Sequence, residues 1–82
     1  MKLSEYIQRE ISTNETSQKI VEIISEFSTD EEYIAGVLLD LKNDDDKTVF
    51  LEYLQKGVDV DYEQIILWSL WLNQQRKQKE NG

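Results

Sequence analysis

The chain has 82 residues, a formal net charge of −8, and neither cysteine nor histidine. That length supports one hydrophobic core, and the two missing residue types exclude disulfides, thiol nucleophiles, imidazole proton transfer near neutral pH and the nitrogen and sulfur ligand sets of zinc. With no proline and three glycines, one of them terminal, the composition favours regular helices over a turn-rich β architecture.

Apolar residues recur at three- and four-residue steps along the chain, the spacing of amphipathic helices. Leu3, Tyr6, Ile7 and Ile11 predict a short first helix over about residues 3–11. Ser12, with Glu15 three residues on, reads as a capping box that opens a second helix. There Ile20, Ile23, Ile24 and Phe27 form the apolar stripe, and Lys19, Glu22 and Glu26 lie on the wet side. Ser28-Thr29-Asp30 interrupts, and Thr29 with Glu32 makes a second box.

A third helix is expected to bury Tyr33, Ile34, Val37, Leu38 and Leu41, with Leu39 extending the stripe. Gly36 sits inside it at a cost of about 1 kcal/mol against alanine, and so is expected to mark the close approach of another helix. Asn43 and the Asp44-Asp45-Asp46 run end that helix and cap a fourth, which carries Val49, Phe50, Tyr53 and Leu54 and stops at Gly57. Asp61, boxed with Gln64, then caps a fifth helix running from Tyr62 to Gln75 or beyond, where Arg76, Lys77 and Lys79 suit its negative end.

The expected fold is therefore all-α, a small bundle of four to five short helices without a sheet. It forms one domain over residues 1–82, with the bundle over about 13–78 and a frayed tail at 79–82. The third and fifth helices share a faint pattern at an offset of 31 (Asp30, Glu32, Ile34, Leu39 and Leu41 against Asp61, Glu63, Ile65, Leu70 and Leu72), as capped amphipathic helices do for generic reasons.

Charge is unevenly placed. Residues 30–62 carry three Lys against ten Asp or Glu, a net of −7, whereas residues 63–82 net +1. So acidic a middle repels phosphate, and direct nucleic-acid binding is not expected. The acidity would steer the chain toward a basic partner or simply keep it soluble, the commoner role. Asp40, Asp44, Asp45, Asp46, Asp59 and Asp61 are the candidate acidic face. As a calcium site the run fails on spacing: counting from Asp40, the sixth position is Asp45 where an EF-hand needs glycine, and the twelfth is Leu51 where it needs glutamate. A solvated helix cap accounts for it, and no metal or cofactor is expected.

The longest apolar stretch is Ile65-Ile66-Leu67-Trp68-Ser69-Leu70-Trp71-Leu72, far short of the ~20 residues that span a bilayer. Met1-Lys2-Leu3-Ser4-Glu5-Tyr6 lacks the apolar run of a signal peptide, so a cytoplasmic location and no membrane partner are expected. A helix apolar on nearly every side is either the one the others surround or one that meets a partner. Ile65, Trp68, Trp71 and Leu72 are the candidate partner or dimer surface.

No nucleophile, phosphate loop or acid–base pair in a pocket is visible, so no enzyme is expected. No family is identified from these residues. In size and charge the chain is similar to small acidic helical proteins that act as inhibitors, immunity proteins or accessory factors of phage and mobile elements. Two functional classes follow. One is a non-enzymatic protein-interaction module, in its sharper form an acidic phosphate mimic that occupies a nucleic-acid-binding protein. The other is a self-assembling structural protein, weakly dimeric through its apolar C-terminal helix.

Overall fold

The computed structural model describes the backbone of residues 2–81 and the side chains of residues 2–79. Five helices follow one another: α1 (Leu3–Thr13), α2 (Glu15–Ile24), α3 (Glu31–Asp40), α4 (Asp44–Lys56) and α5 (Tyr62–Asn81). No strand occurs among the described residues, and the fold is all-α as its apolar periodicity predicts. Nor, among them, is any helix long and apolar enough to cross a membrane. α5 stays helical through 79–81, the first residues of the tail expected to fray; Gly82 lies outside the described residues.

Short polar side chains set where α2 to α5 begin, in two cases not the ones expected. Ser12 is still inside α1, its hydroxyl donating to the Arg9 carbonyl at 3.1 Å. Asn14 instead accepts from the Ser17 N–H at 3.1 Å and caps α2. At α3 the cap is Asp30, not Thr29, accepting from the Glu32 N–H at 3.0 Å. Serine and threonine hydroxyls can stay helical by bonding a carbonyl one turn back, as Ser12 does. An asparagine or aspartate at the extended residue can then serve as the cap. Asn43 caps α4 through the Asp46 N–H, and Asp61 accepts from the Gln64 N–H at the start of α5, both at 2.8 Å.

The core gathers Ile20, Ile24, Leu38, Leu41, Phe50 and Ile65, all fully enclosed. α2 packs most broadly on α4, and α1 on α3 and α2. α3 also receives α5, which meets α4 more lightly. Among the described residues α3 buries the most side chains of any helix, Tyr33, Ile34, Ala35, Val37 and Leu38. Leu39 departs from the expected stripe and stands 50% exposed, and Phe27, which lies past the end of α2, is 39% exposed.

Polar side chains tie the helices across this core. Lys47 in α4 is buried and meets the Glu10 carboxylate of α1 at 3.2 Å, and the Ser17 hydroxyl of α2 donates to the same oxygen at 3.4 Å. In the first turns of α4 a cation opposes the helix dipole, so this lysine depends on its partner. Asn14 donates to Asp44 at 3.1 Å, joining the α1–α2 junction to α4. Asp40 at the end of α3 accepts from Ser69 at 3.3 Å and Asn73 at 3.1 Å, both on α5.

The two internal glycines differ. A Cβ on Gly57 would lie 2.9 Å from both Trp68 Cη2 and Val60 Cγ2 and would collide with the Tyr53 carbonyl. The glycine therefore lets the end of α4 close onto α5. Its backbone is extended; the left-handed residue of this link is Asp59, at φ 59°. Gly36 marks no close approach within the chain, contrary to its sequence reading, since a Cβ there meets nothing within 4 Å.

Two stability predictions follow from this packing. Glu10→Gln leaves the Lys47 ammonium without its counter-charge and should destabilise the fold by roughly 1–3 kcal/mol, whereas Glu10→Leu combined with Lys47→Met should fall much closer to wild type. Urea unfolding of the three chains reads the difference. In the same assay Gly36→Ala should raise stability by about 0.5–1 kcal/mol, and Gly57→Ala should lower it by at least about 1 kcal/mol through overpacking.

Candidate functional site

α5 carries two apolar stripes on opposite sides. Ile65, Ser69 and Leu72, at steps of four and three, point into the bundle and are buried. Leu67, Leu70, Trp71 and Gln74, at steps of three, one and three, lie on the far side. There Leu67 is 58%, Leu70 41% and Trp71 49% exposed. An arrangement with apolar residues around most of the circumference is that of an enclosed helix, yet this helix is covered from one side only.

Of the four residues expected to form a partner surface, Ile65 and Leu72 lie in the core and offer nothing to a partner. Trp71 stands outside. Trp68 is half-buried, its ring 5.3 Å from that of Tyr53 and tilted by 49°, against the backbone at Gly57. Leu67 and Leu70, absent from the expected set, take the outward places. The signal for them was present in the spacing, because positions 67, 70, 71 and 74 fall opposite 65, 69 and 72 on a helical wheel. Which stripe would face inward was not.

Leu70 forms a ridge between two grooves. The first runs toward α4 and is lined by Tyr53, Gln64, Leu67, Trp68, Trp71 and Gln74, with no charged side chain. The second lies between α3 and α5. Its floor holds Gly36, Val37 and Ile66, its walls are Leu39 and Leu70, and Asp30, Glu32 and Asp40 border it. At one end Tyr33 and Tyr62 stack with ring centres 4.3 Å apart, and the Tyr33 hydroxyl donates to the Tyr62 carbonyl at 3.0 Å. Burial first, then the neighbouring Tyr62 and Asp61, push the Tyr33 hydroxyl up to about 12, so it donates that bond across the ordinary pH range.

A third depression, between the start of α4 and the end of α5, is lined by Asp45, Asp46, Val49, Leu72, Arg76 and Lys79, among others. There one Asp46 carboxylate oxygen and the Arg76 Nε are buried without a hydrogen-bond partner. The guanidinium bonds the Asn73 side chain instead.

The candidate acidic residues are dispersed along the fold. Asp40 ties α3 to α5, Asp44 receives Asn14, and Asp61 caps α5. Asp45 and Asp59 are exposed. Among the described residues no group of three or more acidic side chains is placed to hold a metal ion. The carboxylates that border an apolar groove include Asp30 and Glu32, outside the candidate set, because the sequence does not say that α3 and α5 lie side by side.

The two stripes predict opposite responses to truncation. Ile65→Ala should destabilise the fold by roughly 2–5 kcal/mol through the cavity it leaves. Leu67→Ser, on the other side of the same helix, should change stability by no more than about 0.5 kcal/mol. Thermal unfolding followed by circular dichroism compares them, and equal losses would mean that α5 is enclosed.

The chain matches no family model, no curated protein and no solved structure, so what recommends a function is the chemistry of the α5 face.

Proposed function

We propose that the chain is a non-enzymatic protein-interaction module that docks another protein on the outer face of α5. The observation that carries this reading is the cluster of Leu67, Leu70 and Trp71 on one helical face, each two-fifths exposed or more. Tryptophan is among the residues most enriched at binding hot spots, and adjoining grooves offer the kind of concave surface into which a partner's side chains can fit.

Magnitudes decide what kind of partner suits it. Full burial of one large apolar side chain contributes roughly 1.5–3 kcal/mol. Three of them at about half exposure contribute roughly 2–4 kcal/mol on docking, against an association cost that begins near 4 kcal/mol. The apolar cluster alone therefore does not hold a complex, and the electrostatic term sets the sign.

A second copy would bring together two chains of charge −8, and the like charge opposes the contact. A basic partner gains the same apolar burial and adds attraction. The role of acidic inhibitor or accessory factor suits this reading. A phosphate mimic suits it less, because Asp40, Asp44 and Asp61 are engaged in holding the helices together.

A photo-crosslinking residue at position 67, with one at the exposed position 18 on α2 as control, tests the reading in cells that express the chain. A discrete adduct to a different protein should form from position 67 alone and disappear with Trp71→Ser. An adduct of twice the chain's mass, matched by concentration-dependent sedimentation, would make the protein a self-assembling one. Equal labelling from both positions would remove the α5 face as a docking surface.

A further inference from the structure

The three grooves that border α5 differ in charge. The one beside Tyr53 and Trp68 has no charged lining, and the one near Arg76 and Lys79 mixes both signs with Asp45 and Asp46. Only the α3–α5 groove is bordered by charge of a single sign, the carboxylates Asp30, Glu32 and Asp40 around an apolar floor. Asp40 takes its hydrogen bonds from the neutral groups of Ser69 and Asn73, so its charge is not paired within those contacts.

Gly36 gives a second and independent indication. It lies mid-helix in α3, where glycine costs about 0.5–1 kcal/mol against alanine. Nothing among the described residues needs that glycine, since a Cβ would meet nothing within 4 Å. The bare backbone opens onto the groove floor, where a missing side chain lets another backbone come close. Two apolar side chains, Leu39 of α3 and Leu70 of α5, line it from the two helices, 50% and 41% exposed. Such a trough between two helices fits a third helix, bound by its apolar stripe.

We propose that the α3–α5 groove receives a cationic amphipathic helix of the partner, with its apolar side on Leu39, Ile66 and Leu70 and its Lys or Arg side chains beside Asp30, Glu32 and Asp40. This inference rests on the reading of the α5 face as a docking surface and names both the groove and the chemistry of the occupant. A glutamate-rich helix of the same shape is repelled. A lysine-rich segment without an apolar stripe gains only the screened surface term.

The test is titration of the isotope-labelled chain with a helical Leu/Lys peptide of about 14 residues, followed by amide chemical shifts. A Leu/Glu peptide of the same pattern and a Lys/Ser peptide serve as comparisons. Shifts should centre on Gly36, Leu39, Ile66 and Leu70, and only the Leu/Lys peptide should produce them at low concentration. Gly36→Leu, with its helicity and unfolding midpoint matched to wild type, fills the trough and should weaken binding by at least about tenfold. Asp30→Asn keeps the α3 cap, and together with Glu32→Gln it should weaken binding several-fold at low salt and flatten its salt dependence. Gln18→Ala, on the exposed side of α2, should leave the affinity unchanged.

Shifts confined to Leu67, Trp71 and Tyr53, insensitive to Gly36→Leu and lost in Leu67→Ser, would overturn the groove and leave the α5 face standing. Equal binding of the Leu/Glu or Lys/Ser peptide would overturn the stated chemistry. No binding of the Leu/Lys peptide while the position-67 adduct still forms would do the same. Shifts at Gly36 and Leu39 that grow with protein concentration alone would make the occupant a second copy and overturn the proposal as stated.

Discussion

A body measuring 34 × 32 × 20 Å is two helices thick along its shortest axis, because one helix with its side chains is about 10–12 Å across. Within that thickness each helix keeps a side toward water, and the fold turns on which sides those are. α1, α2 and α4 present glutamate, lysine, glutamine and aspartate outward, as at Glu5, Gln8, Lys19, Glu22, Glu52 and Gln55. From Ile65 to Leu72 α5 has no polar outward side. It can satisfy one apolar stripe against α3 and α4, and the other remains where Leu67, Leu70 and Trp71 are found.

What fixes α5 in that rotation is polar as much as apolar. Ser69 is buried in the middle of the inward stripe, and its hydroxyl reaches both the Ile66 carbonyl and the Asp40 carboxylate. Asn73, one turn on, donates to the other oxygen of the same carboxylate. Turning α5 to bury Leu67 and Leu70 would carry Ser69 and Asn73 away from Asp40 and leave a carboxylate at the end of α3 without these two bonds. A buried or half-buried carboxylate that loses its donors is costly, so the helix exposes leucine and tryptophan in preference. The Glu10–Lys47–Ser17 cluster ties α1, α2 and α4 together in the same way.

The existence, order and approximate extent of all five helices could be read from the chain, because each has a polar break before it and an apolar period within it. Caps were read one or two residues early at Ser12 and Thr29. A hydroxyl can serve either a cap or a helix interior, and the local sequence does not say which. Local apolarity also leaves open which helix is most buried. The block at 65–72 is the most continuously apolar segment, yet α3 buries more of its side chains. Enclosure depends on position among the other helices, a long-range property, whereas hydrophobicity is counted locally. Of the candidate surface, Trp71 is exposed and Trp68 half so, while Ile65 and Leu72 turn inward. The buried Ser69 between them was the residue that could have identified the inward stripe, had its partner Asp40 been known.

Gly36 carries that contrast furthest. From sequence alone a helical glycine predicts a close neighbour, and within the chain there is none. Glycine at that position weakens the isolated domain slightly and widens a trough that already has leucine on both walls and carboxylates of one sign along its border. Each of these features alone has an ordinary structural reading: a tolerated glycine, two exposed leucines, a cap, an acidic surface. Together, on adjoining helices and facing the same space, they define a volume, an apolar floor and a sign of charge, which are the three properties that distinguish one class of partner from the rest.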